Sequence, residues 1–431
     1  MIHLSALIVD SSTSYAQTVA CCLKDLGLTQ DNIYITRKYD GALDLLKNKK
    51  PQLLITEFTI DGKYGLQLIN QHTSHSPNNI SIIMTHNNSS TSIAEAAEEL
   101  VDDYIVKPFQ SGNLHERLKS LINRKLNPTD YIKSIRDGKQ MLLEGRLDDA
   151  ELNFQTAIRL ENRPTLAYYY LGYTNFMDNK FNIAAGEFAK GLSIQPLHYK
   201  CLTGKFDTLF EQRSYEDAYS VASAIVDNYP IGPKRLGQLF ISAVFSGKLD
   251  VVPEYYKLFS QLDHKPNELR RVFSAALFTA GRSQLNRNDL PKAIECFELG
   301  VQVVGPNIEY LTKIVKVLLK TDSSGHRQAA RILNLFPNLK VGSREFNILQ
   351  FQVNAKILPT AQIIEQGRKL AANRQFDEEC YMEFIKILIA DNKIILAEDI
   401  AGKALREYPN MRETINGLLE AGEKSTTSER S

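Results

Sequence analysis

The stretch PQLLITEFTIDGKYGLQLI, residues 51–69, runs from an apolar segment to an acid and then into an amphipathic one. Residues 52–57, QLLITE, read as a short buried strand that ends on Glu57, and eight residues later Gly65 opens a helical pattern. Four more apolar runs share this character: LSALIVD (4–10), NIYIT (32–36), ISIIMT (80–85) and DYIVK (103–107). Amphipathic stretches lie near 13–26, 40–48, 64–72, 90–100 and 112–123. Short apolar strands alternating with helices predict a parallel sheet covered on both faces. In such a sheet the site lies outside the carboxyl ends of the strands. Asp10, Glu57, Thr85 and Lys107 all fall there.

After a linker, KLNPTD (125–130), the period changes to about 34. Gly138, Ala150, Phe154 and Ala157 are matched 34 residues on by Gly172, Ala184, Phe188 and Gly191. Ala218 and Val252 continue the register, and the pattern returns after seven extra residues as Gly281, Ala293, Phe297 and Gly300. Looser units centre on Ala330, Ala361 and Ala397. Small residues at fixed points let paired helices approach, and an aromatic fills the gap between them. A single pair cannot bury its own apolar face, so such units stack. The expected organisation is an α/β domain over 1–124, the linker 125–130, helical repeats over 131–415, and a polar, disordered tail over 416–431.

A length of 431 residues implies more than one core. The formal charge of +1 provides no general attraction for nucleic acid or acidic lipid. No helix carries a dense Lys/Arg face and tryptophan is absent, so nucleic acid is not an expected partner. The five cysteines fit no metal or disulfide spacing, which suits a reducing compartment. The start MIHLSALIVD lacks the pattern of a leader, and no apolar run approaches the roughly 20 residues that span a bilayer. The expectation is a cytoplasmic protein without a membrane segment. No catalytic triad, metal-ligand cluster or Gly-rich phosphate loop appears, so no enzyme is expected.

VDS at 9–11, Glu57 with Gly65 eight on, Thr85, and YIVKPF at 104–109 together resemble the receiver domain of two-component response regulators. The repeats resemble tetratricopeptide repeats. The resemblances imply a flavodoxin-like (βα)5 receiver followed by a tetratricopeptide-type α–α superhelix. They also imply roles. Asp10 stands at the first metal-binding acid, whereas the second acid is replaced by Ser11. Glu57 stands at the phosphoacceptor, where the family has aspartate. Thr85 and Lys107 match the residues that follow and bind the phosphoryl oxygens, and Tyr104 the switch aromatic. Glu57 reaches about 1 to 1.5 Å further than aspartate, and a misplacement of about 1 Å can cost about a hundredfold in transfer. With Ser11 in place of an acid, no cofactor is expected beyond weak residual Mg²⁺ binding at Asp10.

Two readings of Glu57 stay open: a dead site on a docking module, or a built-in partial mimic of the phosphoryl group, biasing toward the active state. The leading expectation is a non-enzymatic signalling adaptor, and the alternative is a genuine phosphorelay regulator modified at an atypical position such as Glu57 or Asp61. Leu166, Tyr169, Tyr173 and Phe176 share one helical stripe and are the candidate groove contacts for a protein partner. The face over 90–123 is the expected receiver surface for a histidine kinase, another regulator or a homodimer.

Overall fold

The computed structural model describes residues 4–76, 79–86, 101–229, 231–262, 264–335 and 343–428. Its first part contains β1 (Ala6–Val9), β2 (Ile33–Thr36), β3 (Leu53–Glu57), β4 (Thr59–Ile60), β5 (Lys63–Tyr64), β6 (Ile80–Thr85) and β7 (Asp103–Val106). Helices α1 (Thr13–Asp25), α2 (Tyr39–Lys49), α3 (Gly65–His75) and α4 (Ser111–Leu126) accompany them. Five strands form a parallel sheet in the order β2-β1-β3-β6-β7. The alternating pattern predicts the parallel sheet, and this strand order is the flavodoxin-like one that the receiver resemblance implies.

The alternation of side chains along a strand explains why the runs are apolar throughout. Ala6 and Ile8 point into one core, with Val19 and Leu23 of α1 and Leu114 and Leu118 of α4. Leu7 and Val9 point into the other, with Leu46 of α2 and Leu68 and Ile69 of α3. Strand β3 contributes Leu53 and Ile55 to the first core and Leu54 to the second. The helix expected near 90–100 lies outside the described residues.

Strands β4 and β5 form an antiparallel hairpin beyond the end of β3. Its turn is Asp61-Gly62, at φ 52° and 73°, the left-handed pair favoured in two-residue hairpins. Gly65 follows for a steric reason: a methyl group there would lie 2.0 Å from the Glu57 carbonyl oxygen.

Helix α4 extends to Leu126, and the next helix begins at Asp130, so the connection is shorter than the 125–130 linker read from composition. Pro128 limits the first helix, and the Thr129 hydroxyl caps the second by accepting from the Ile132 amide. The helices that follow pair as α5 (Asp130–Leu143) with α6 (Leu147–Leu160), α7 (Thr165–Met177) with α8 (Phe181–Ile194), and α9 (Tyr199–Glu211) with α10 (Tyr215–Asn228). Helix α11 (Pro233–Phe245) succeeds them. A methyl group on Gly172 would meet the Phe188 ring at 2.8 Å, and one on Gly204 at 2.5 Å, so one buried ring fills the space over two glycines. Gly138 and Phe154 repeat the contact at 2.5 Å.

The backbone carries the same period. Gly145, Asn179, Arg213 and Gly247, spaced 34 apart, all turn with positive φ (74°, 58°, 57° and 73°). The next such turn, Asn288 at φ 61°, follows only after the seven-residue insertion. That insertion falls where the contacts divide the chain into two compact units: Met1–Lys248 with Lys257–Leu269, and Leu249–Tyr256 with Arg270–Ser431. Val252 is buried as its register implies, but its surroundings form two 3-10 turns, Leu249–Val251 and Pro253–Tyr255, instead of a helix.

The second unit repeats the packing rule, with Gly281 against Phe297 and Gly367 against Phe384. Its last helix, Arg412–Ser428, carries the tail read as disordered from 416 onward. Ile415 is fully buried at its start and Leu419 packs on the same core, which anchors the helix to the second unit. Among the described residues, no helix is long and apolar enough to cross a membrane.

The close ring-on-glycine packing makes a prediction. Phe188→Ala should destabilise the first unit by about 3–5 kcal/mol, whereas Ile395→Ala, at an 84% exposed position, should change stability by less than about 0.5 kcal/mol. Urea unfolding followed by hydrogen exchange of peptides from each unit measures both.

Candidate functional site

The parallel sheet assembles the site by bringing strand ends together. Asp10 follows β1, Glu57 ends β3 opposite Met84, and Thr85 ends β6. The Lys107 amide donates to the Thr85 carbonyl at 2.7 Å, which seats the lysine beside both acids. The Lys107-Pro108 peptide bond is cis.

Lys107 is 3% exposed, and its ammonium lies 2.7 Å from Asp10 Oδ2 and 2.8 Å from Glu57 Oε1. The other oxygen of Asp10 accepts from the Ser12 amide at 2.8 Å. Glu57 Oε2 accepts from Ser11 twice, from its amide at 2.9 Å and its hydroxyl at 2.6 Å. Both oxygens of both acids are therefore engaged. The extra methylene of Glu57 carries its carboxylate onto Lys107, and Ser11 supplies the donors that hold it there.

The electrostatics differ between the acids. Burial lifts the pKa of Asp10 above its ordinary value, with Lys107 and the Ser12 amide opposing it. Burial acts the same way on Glu57. There, the Lys107 ammonium and both Ser11 donors together outweigh it and hold the carboxyl below the ordinary 4.5.

An aromatic cover closes this arrangement. Lys107 Nζ sits 4.6 Å from the centre of the Tyr15 ring, within cation–π range. Tyr15 in turn meets Phe109 at 5.3 Å and the edge of exposed His86 at 5.5 Å. Sequence reasoning missed Tyr15, since an aromatic in the first turns of an amphipathic helix carries no distinctive signal. It also read Ser11 only as a lost metal ligand, not as a donor to Glu57.

A receiver-type Mg²⁺ ion does not fit these donors. The two carboxylates present share one lysine as their counter-charge, and the Ser11 hydroxyl points at Glu57. Among the described residues no cluster of three or more His, Cys, Asp or Glu has metal-binding geometry.

The remaining candidates lie elsewhere. Asp61 Oδ2 accepts from the Tyr39 amide at 2.9 Å and so caps α2. Tyr104 is half-buried and packs on the core containing Leu7 and Ile83. Arg117 grips its neighbour Asp103 and donates to the Tyr104 carbonyl at 3.3 Å. Of the 90–123 face, β7 and α4 are described and residues 90–100 are not.

Tyr169, Tyr173 and Phe176 line a cavity of about 520 Å³ bounded on another side by α3. Leu166 does not line it. One turn earlier on the helix, it packs on the core formed by Ile135 and Phe154.

Comparison with known proteins identifies the domain that holds this sheet. Residues 6–119 match the family model for the response regulator receiver domain. Over 130 residues the chain is 29% identical to the chemotaxis protein CheY-3 of Vibrio cholerae, covering 28% of this chain and 94% of the relative. The chemotaxis protein CheY of Pseudomonas aeruginosa is 27% identical over 128 residues, covering 28% and 98%. The solved structure of the Vibrio cholerae chemotaxis response regulator CheY4 is 20% identical and matches 28% of this chain and 99% of that one, at a TM-score of 0.26. The N-terminal domain is a response regulator receiver domain of the two-component family, followed by a long run of helices.

Two predictions follow from the buried ion cluster. Lys107→Met leaves two acids without their counter-charge and should destabilise the receiver sheet by about 3–5 kcal/mol. Adding Asp10→Asn and Glu57→Gln to that variant should restore most of the loss, read by urea unfolding with hydrogen exchange of the β1 and β3 peptides.

The second concerns pH. Glu57 has a depressed pKa, so its stabilisation is complete above the unfolded value and is lost as the pH falls through the folded one. The stability advantage of the wild type over Glu57→Gln should therefore be full at neutral pH and shrink below pH 4.5. An advantage that grows on acidification would contradict this.

Proposed function

We propose that this chain is a non-enzymatic two-component signalling adaptor, in which a receiver with a permanent charge at position 57 is joined to a tetratricopeptide-type scaffold that binds a partner protein. The observation that carries the reading is the 2.8 Å contact between Glu57 and Lys107. A conventional receiver gains that lysine's partner on phosphorylation and loses it on hydrolysis. Here a side chain provides it continuously.

Mimicry by Glu57 is partial. A carboxylate has one charge and two oxygens, against about −1.5 to −2 and three oxygens for a phosphoryl group. Its second oxygen turns to Ser11. The side chain therefore fixes Lys107 without reproducing every contact of a bound phosphate, and it biases the conformational equilibrium only by its preference for one state. The engagement of both Glu57 oxygens opposes the alternative, a phosphorelay acceptor, since an oxygen held by two donors is a poor nucleophile for in-line attack. Asp61 is engaged as a helix cap.

For the helical region, the 34-residue spacing of ring-on-glycine contacts and left-handed turns supports the repeat reading. Stacked repeats act by presenting surface, so protein partners, a histidine kinase or another regulator among them, suit this architecture.

The two departures from the usual acids are matched to each other, and this gives a gain-of-function test. Incubated with acetyl phosphate and Mg²⁺, the wild-type chain should show no phosphoryl adduct by mass spectrometry. Glu57→Asp and Ser11→Asp alone should stay unmodified or nearly so. The double variant, with both acids restored beside Asp10, should take up phosphate on residue 57. An adduct on wild-type Glu57 or Asp61 would favour the phosphorelay reading.

A further inference from the structure

The cavity beside α3 is a composite of two domains, and its charges are unbalanced. Receiver residues Asn70, Thr73 and Ser74 form one wall, while Tyr169, Tyr173 and Phe176 of α7 form another. Six charged residues line it: Lys139, Lys200, Lys234 and Arg235 against Asp102 and Asp207, a formal balance of +2. The acids are already engaged. Asp207 holds Arg235 through a two-point contact, with Nη2 to Oδ2 at 2.8 Å, and Asp102 accepts from the Ser81 amide at 2.8 Å.

The three lysines have no carboxylate partner among the described residues, whereas nearby Lys180 and Lys190 do. Two of them instead lie over aromatic rings, Lys139 over Tyr170 at 5.7 Å and Lys200 over Tyr169 at 5.9 Å. Ammonium groups left without counter-ions around an aromatic wall are a complementary surface for carboxylates carried next to apolar side chains. Tyr173 and Leu143, 38% and 53% exposed, provide apolar area at the mouth.

We propose that α3 of the receiver and the aromatic wall of α7 together bind an acidic peptide segment of a partner protein. Its apolar anchor rests on Tyr169, Tyr173 and Phe176, and its carboxylates meet Lys139, Lys200 and Lys234. The inference rests on the scaffold reading above and names its partner's chemistry. It also gives the receiver a direct part in partner binding, on a face away from the Lys107 cluster. A nucleic-acid strand suits the site less well, because its closely spaced phosphates would meet two wall carboxylates and only three unpaired cations.

The test uses the full chain and a random twelve-residue peptide library displayed on phage. Selected peptides should combine two or more Asp or Glu with an adjacent Phe, Tyr or Leu. A fluorescein-labelled consensus peptide should bind the triple variant Lys139→Glu, Lys200→Glu, Lys234→Glu at least about tenfold more weakly by anisotropy. Thr73→Trp, which fills the cavity from the receiver side, should weaken binding as much while unfolding at the same urea concentration as wild type.

Neutral or basic consensus peptides whose binding needs Tyr173 would overturn the acidic assignment and leave the scaffold reading standing. Absence of any selected peptide sensitive to Tyr173→Ala would overturn both. Unchanged affinity in Thr73→Trp would remove the receiver from the site, and equal competition by a single-stranded oligonucleotide would show mere polyanion binding; either overturns the proposal.

Discussion

A fully buried ammonium has to find negative charge, and in this molecule Lys107 finds two permanent sources of it. Isolated burial of an ion is costly, and a pair is tolerated only when geometry is close and the remaining lone pairs are satisfied. Both conditions hold here: the contacts are 2.7 and 2.8 Å, and the outer oxygens accept from Ser12 and Ser11. The parallel sheet makes this arrangement available by delivering three strand ends to one place. Tyr15, Phe109 and His86 then cover it.

The replacements at positions 11 and 57 make sense as a pair. An acid at 11 would place another negative charge against Glu57, whereas serine supplies two donors to it. An aspartate at 57, one methylene shorter, would hold its carboxylate back from the lysine. Together they give a cluster in which one ammonium is shared by two carboxylates and Ser11 donates to the second of them.

Much of the architecture was legible because it follows from period. Apolar runs buried on both faces, such as Leu53–Glu57, leave few alternatives to a covered parallel sheet, and glycines matched to aromatics every 34 residues signal close helix pairs. Glu57 and Lys107 were legible because strand ends converge. Other features depend on packing that no local pattern encodes. Leu166 and Tyr169 lie on one helical stripe and pack on the same core, yet only Tyr169, one turn further on, also lines the cavity. The tail's helix depends on Ile415 reaching a distant core. Asp61-Gly62 is a two-residue hairpin signal legible in the sequence, and the structure uses it as the turn between β4 and β5.

The central claim is that Glu57 stands ionised against Lys107 in the resting protein. The most direct measurement is the pH titration of the Glu57 side-chain carboxyl by carbon-13 NMR, with the resonance assigned through Glu57→Gln. A midpoint below the ordinary 4.5 that moves upward in Lys107→Met is the predicted result. An ordinary or raised midpoint, indifferent to residue 107, would contradict the account.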